Sequence, residues 1–333
     1  MLPYGRWRTK AFALYLSVVI LSALIPGGAR ASEQSEPPDL NLVFQDLQDQ
    51  GSMGNNIRMT FTVTGRQHPN CPGMPTESAL TPIKPEDLRL SDERTITLYV
   101  SNERRRIDTL RAIYLTGNPV ERSFAWLETP IRSTTAVVFD GSKTYYLEGG
   151  WDADKGDVSI ISGNKTGLEG IYTPLSLMSP RNDLPIVEAV QSFPVLEWLA
   201  IEEKVLDRPC NVLECRNEGE NVVAKLWITQ ERPHVILRRV SDAGGGSGRF
   251  ISEAEGVEVL ENGYVVYTSI KLSHLRKKVD QLILFSEHIY RLKPEDVALT
   301  ELNDSLFQPS LGRPGLYHDA DVGLTWLVEP EDK

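Results

Sequence analysis

The sequence predicts a mainly β protein with covering helices (α+β), built as one large antiparallel curved sheet or open barrel. Three observations predict it. Apolar and polar residues alternate in segment after segment, turn signals separate those segments, and only two stretches show helical spacing. A sheet of this kind has one face that needs a cover, and the helices are the candidates for it.

In chain order, residues 32–38 form a polar leader, Ser-Glu-Gln-Ser-Glu-Pro-Pro. A short helix should follow, with Leu40, Phe44 and Leu47 on one apolar face. The period then changes to two: Ile57, Met59, Phe61 and Val63 alternate with Arg58, Thr60, Thr62 and Thr64. A Pro-rich insertion at 66–90 is too long for a core connection. Strands are expected at Thr95–Val100, Ile107–Leu115, Thr134–Phe139 and Lys143–Glu148, the last two flanking Asp140-Gly141. The Gly- and Asp-rich stretch 149–170 leaves room for one short strand, Val158–Ile161. A second helix is expected at Ile186–Ala200, kinked at Pro194.

Later strands are Glu202–Leu206, Asn211–Arg216, Val222–Thr229 and His234–Val240. The glycine-rich run 244–248 is expected to be a surface loop. Asn262-Gly263 joins Val257–Glu261 to Tyr264–Leu272 as a hairpin, and Val279–Leu292 is one long strand with apolar residues on both faces.

The amino terminus has the form of a signal peptide over residues 1–31. Arg6, Arg8 and Lys10 precede the apolar stretch Ala11–Ile25, and Ala29-Arg30-Ala31 supplies a small-x-small cleavage pattern before Ser32. As a helix, that stretch spans about 22 Å, short of a hydrocarbon core of about 30 Å. Cleavage would leave 32–333 as a single exported domain, soluble and without a transmembrane span. Losing four basic residues and no acid would take the net charge from −11 to −15. So acidic a surface argues against nucleic acid as a partner. The basic run Arg104-Arg105-Arg106 reads as a solvated strand edge.

Three cysteines remain, Cys71, Cys210 and Cys215. As strand residues, Cys210 and Cys215 would stand roughly 16 Å apart on opposite faces, too far to bridge each other. Cys71 is therefore the expected disulfide partner of one of them. Catalytic and metal templates fail in turn. His68, His234, His274, His288 and His318 lack metalloprotease spacing, and Arg249 replaces the last glycine of a nucleophile elbow around Ser247. Asp152, Asp154 and Asp157 miss the calcium-loop pattern, with glycine at the fifth position and Gly163 at the twelfth. Neither an enzyme nor a cofactor or metal is expected.

The order of these elements, from about Leu40 to Trp326, resembles the outer-membrane lipoprotein carrier and receptor superfamily (LolA/LolB/LppX-like). The matching features are the helix leading into Ile57–Phe61, the strand Leu98–Val100 with its basic tail, the hairpin around Phe139-Asp140-Gly141, and Leu226-Trp227-Ile228. Asn303–Phe307 with Gly315 and Asp319 resembles the closing segment of exported relatives. The resemblance implies a half-barrel of about eleven strands, lidded by helices, whose concave apolar face holds acyl chains. It implies a periplasmic binding protein for lipid or lipoprotein acyl chains, with a place in outer-membrane lipoprotein sorting. Arg106 is the nearest candidate for the carriers' functional arginine, and Phe139, Tyr145 and Trp227 are candidate walls of the cavity. The alternative is a non-catalytic envelope scaffold or interaction protein with a self-filled half-barrel.

Overall fold

Strand β1 (Asn56–Gln67) organises the sheet. Its alternate residues Ile57, Met59, Phe61 and Val63 are buried on one face, and it pairs along both edges, with Arg89–Ser101 and with Gln281–Leu299, so it lies in the middle rather than at a rim. In the computed structural model the described residues are 37–53, 56–70, 81–118, 123–162, 176–181, 184, 186–219, 221–243, 248–278 and 281–330. They lie in one compact unit, Pro37–Lys333. The expected cleavage site at Ala31 and Ser32, and Cys71, lie outside them.

From β1 the chain meanders outward through β2 (Arg89–Ser101), β3 (Arg104–Asn118), β4 (Ser123–Phe139), β5 (Lys143–Glu148) and β6 (Val158–Ser162). It then starts again at the far rim and returns through β7 (Val195–Val205), β8 (Arg208–Arg216), β9 (Val222–Thr229), β10 (Ile236–Ala243), β11 (Gly248–Val259), β12 (Val265–Lys278) and β13 (Gln281–Leu299). Strand β13 closes against β1, with Val63 opposite Tyr290 and Phe61 opposite Leu292. The short strands β14 (Gly315–Asp319) and β15 (Leu324–Val328) extend the β6 rim. Among the described residues the result is one unclosed 15-stranded sheet, antiparallel at every neighbouring pair except β14–β6.

Helix α1 (Leu40–Met53) precedes β1, and helix α2 (Ile186–Gln191) precedes β7. The second helix is shorter than its periodicity suggests. Ser192 to Pro194 end it, and the expected remainder is rim strand β7, paired Val195 to Arg216 through Val205 to Arg208. Leu206 and Asp207, both at positive φ, form the tight turn into β8. The Asp140-Gly141 turn forms as expected: Asp140 Oδ1 accepts from the Ser142 and Lys143 amides at 2.7 Å each, and Gly141 sits at φ 101°.

The basic run is not a solvated edge. Arg104, Arg105 and Arg106 lie on β3 between β2 and β4. Arg104 pairs with Asp304 at 2.7 Å and lies over the Phe307 ring, so the run helps hold the closing segment against the sheet. Arg313 completes that attachment by donating to the carbonyls of Gly150 at 2.8 Å and Glu148 at 3.1 Å. Close backbone approach at this seam requires Gly156, which sits at φ 142° and donates to Pro314 O at 3.0 Å. A Cβ there would collide with the Glu148 carbonyl. Gly156→Ala should therefore cost about 2–4 kcal/mol in denaturant unfolding. Gly51→Ala, in open space on α1, should be neutral or stabilising by comparison.

The two rims of the sheet differ. Strand β7 carries Glu197, Glu202, Glu203 and Lys204, whereas Leu-Thr-Trp-Leu-Val of β15 has no charge and leaves Leu324 61% and Leu327 63% exposed. Charge blunts the first edge against further pairing, and nothing in the strand itself blunts the second.

Candidate functional site

The face of β1 that carries Ile57, Met59, Phe61 and Val63 is the inner face, because Met59 and Leu47 of α1 line a common cavity. Helix α1 starts at Asp39, whose carbonyl accepts from Leu42 and Val43 and whose carboxylate accepts from the Asn41 amide at 2.9 Å. Its buried stripe is Val43, Asp46, Leu47 and Gln50, with Leu40 and Phe44 only partly buried. The stripe is thus rotated from the apolar spacing and includes two polar residues.

Those two residues fasten the helix. Asp46 Oδ1 and Oδ2 each accept from Arg232 Nε at 3.1 Å, and Oδ2 also accepts from the buried His234 amide at 2.9 Å. Gln50 works at the β11–β12 turn, where its Nε2 donates to Gly263 O at 3.0 Å and its Oε1 accepts from Val265 N at 2.7 Å. Burying these groups is tolerable only because each has its partners.

The tip held by Gln50 fills the inner face. The turn is longer than the two-residue hairpin expected at Asn262-Gly263: Leu260 N donates to Tyr264 O at 2.9 Å and Gly263 N to Leu260 O at 2.8 Å. Beyond Ser269, β12 no longer pairs with β13, so the tip leaves the sheet's ladder there. Both its faces are buried. Val265 and Tyr267 pack into the cluster that contains Val43, Leu47, Leu226 and Ile228. Tyr264 and Val266 pack into the one that contains Ile57, Met59, Phe61, Ile96 and Leu98. Between helix and tip remains a cavity of about 20 Å³, lined by Leu47, Met59, His234, Tyr264, Tyr267 and Leu292 among others. That is room for about one water, against roughly 300–1,000 Å³ for ligand pockets.

The four candidate binding residues are not brought together. Phe139 lies in the inner cluster with Ile107 and Val100. Arg106 is on the opposite face of β3, bound in bidentate fashion by Asp108 and stacked between Tyr99 and Trp151, with ring centroids 4.9 and 3.9 Å away. Tyr145 packs with Val138, Phe307 and Tyr317 in that outer cluster. Burial, then its 3.1 Å hydrogen bond to Asp140, pushes its hydroxyl up to about 12. Trp227 donates to Glu203 at 2.9 Å and lies under Arg238, on the face of β9 that carries Lys225. Three of the four hold ionic or outer-face packing. Asp46 and Gln50 were hidden from the sequence reading because polar residues at helical spacing normally mark the solvent side.

Cys210 and Cys215 are buried thiols, and Cys71, the expected partner of one of them, lies outside the described residues. Strand β8 is covered on both faces, and burial pushes Cys210 up to about 11. Burial with the nearby Glu214 charge pushes Cys215 to about 12. Among the described residues, no group of three or more His, Cys, Asp or Glu could hold a metal ion, and no helix is long and apolar enough to cross a membrane.

No family model and no curated protein matches the chain. Among solved structures it is similar to a DUF1329 family protein from Desulfovibrio piger, with TM-score 0.36 and 9% identity over 80% of this chain and 96% of that one. It is similar also to a putative outer membrane lipoprotein-sorting protein domain from Vibrio parahaemolyticus, with TM-score 0.36 and 10% identity over 80% and 95% of the two chains. A third is LprF from Mycobacterium bovis, with TM-score 0.28 and 11% identity over 78% and 94%. The similarity is weak.

Proposed function

We propose that this chain is an exported, non-catalytic envelope protein built on a carrier-type half-barrel that its own side chains fill. On this reading it works by holding other envelope components, not by carrying an acyl chain. The observation behind it is the β11–β12 tip, buried on both faces and leaving a cavity of about 20 Å³. An acyl chain would have to displace that tip together with its hydrogen bonds to Gln50. The uncharged rim strand β15 is where a partner would add, as an extra strand. With a net charge of −11, the chain favours an extended apolar segment with basic flanks as that partner.

The test is native mass spectrometry of protein purified from its envelope, followed by titration with a fluorescent fatty acyl probe. The expected mass is that of the bare polypeptide beginning at Ser32, with no saturable uptake. Retained lipid, or uptake of the probe, would restore the acyl-carrier reading.

A further inference from the structure

Beyond the filled end of the inner face, the apolar rows give way to charge. Directly opposite residues share a face, so the register fixes what stands beside Val63 and Gly65. Val63 is opposite Arg94, and Arg94 is opposite Arg111. In the next row His288, Gly65 and Asp92 stand side by side on β13, β1 and β2. Two arginines thus face each other on adjacent strands, an arrangement that is destabilising without a counter-charge.

Asp92 answers them only in part. One oxygen, Oδ2, bonds Arg94 Nε and stands 3.4 Å from Arg111 Nε. Its other oxygen, Oδ1, is 4.0 Å from His288 Nε2. The carboxylate reaches this far because Gly65 has no side chain, and a Cβ there would collide with Oδ1. Arg111 Nε is buried, and the 3.4 Å contact with Asp92 Oδ2 is too long for a good hydrogen bond. The neighbouring acids do not help, since Glu93 and Glu287 alternate onto the other face, where Glu93 accepts from Tyr114 at 2.8 Å. The remaining inner-face neighbours are Ile113, Ser133, Tyr290 and Leu272, all uncharged. Two guanidinium groups therefore share one carboxylate beside an apolar wall, where an added anion is held more strongly than in water. The Arg111 side chain is 40% exposed, so the place is reachable.

We propose that Arg94 and Arg111 form an oxyanion-binding site on the inner face, for a phosphate or phosphate-like group held by the arginine forks. Planar forks match such oxygens in bidentate fashion. The group arrives either free or as the head of an amphiphile whose tail stays outside the packed cluster of Phe61, Val63 and Ile96. The site is at the opposite end of the inner face from the hairpin tip and stands whether or not that tip yields.

Calorimetric titration of the mature protein with inorganic phosphate and with hexyl phosphate tests this. Saturable binding of phosphate is expected, weakened about tenfold in Arg111→Gln and by less in Arg111→Lys, which keeps the charge without the fork. Arg58→Gln, on the other face of β1, should bind as wild type. Circular dichroism and melting confirm that each variant is folded; should Arg111→Gln fail to fold, Arg111→Lys carries the comparison. Hexyl phosphate binding tighter than phosphate assigns a headgroup; equal affinity assigns the free anion. Absence of binding to the wild type, unchanged affinity in a folded Arg111 variant, or equal binding of hexanol overturns the site.

Discussion

An Asp46→Ala variant should be less stable than the wild type by about 2–4 kcal/mol. The substitution leaves the buried His234 amide without its acceptor and removes the bidentate bond from Arg232. Arg232 is more than half exposed and re-solvates, which keeps the loss below that of a fully buried pair. The effect carries a pH signature. Burial alone would raise the Asp46 carboxyl, but hydrogen bonds from Arg232 and the His234 amide outweigh it and hold the group below the usual carboxylate range. A carboxyl depressed on folding stabilises fully above its unfolded value of about 3.9, and that stabilisation is lost as pH falls through the lower folded value. The gap between wild type and Asp46→Ala should therefore be constant near neutrality and close below about pH 4. Urea unfolding at a series of pH values measures it. A gap that persists undiminished in acid would mean that the carboxylate does not carry the effect.

Phe61→Ala should cost about 3–5 kcal/mol, the largest loss expected from one side chain on the inner face. Phe61 is buried, sits opposite Ile96 and Leu292, and its ring is 6.3 Å from that of Tyr290. Strands on both sides prevent the site from collapsing, so the space should persist, dry and apolar. The variant should then take up a small apolar molecule such as benzene, which the wild type excludes. Thermal unfolding with and without benzene reads both effects. A loss under about 1 kcal/mol would show that this face is loosely packed and that the half-barrel is not filled as described.

Much of the fold was legible in the sequence because a half-buried strand writes itself as alternation. β1, β5, β6 and β9 fall almost where Ile57–Val63, Lys143–Glu148, Val158–Ile161 and Val222–Thr229 placed them. The failures have local causes. In Ile186–Ala200, apolar residues spaced for a helix lie on both sides of Pro194, and pairing with β8 won over helical propensity from Val195 onward. Arg104 to Arg106 looked solvated because charge normally is, and only tertiary partners such as Trp151 and Asp304 reveal otherwise. The site was less legible than the fold. Gln50 meets Val265 and Arg94 meets Arg111 through register, and one sequence does not state register.

The central place of β1 also sets the order in which this molecule can be made. β1 is among the first strands to be synthesised, yet one of its two partners, β13, is among the last. Contacts so far apart in the chain are slow to form, and the ladder through the middle of the sheet waits for them. Until Gln281–Leu299 is complete, the 12-residue β1 offers one flank of unpaired amides and carbonyls, backed by Ile57, Met59, Phe61 and Val63. Folding of this chain is then a race between finishing the polypeptide and pairing β1 with the wrong strand. A product truncated before β13 is the form most exposed to aggregation.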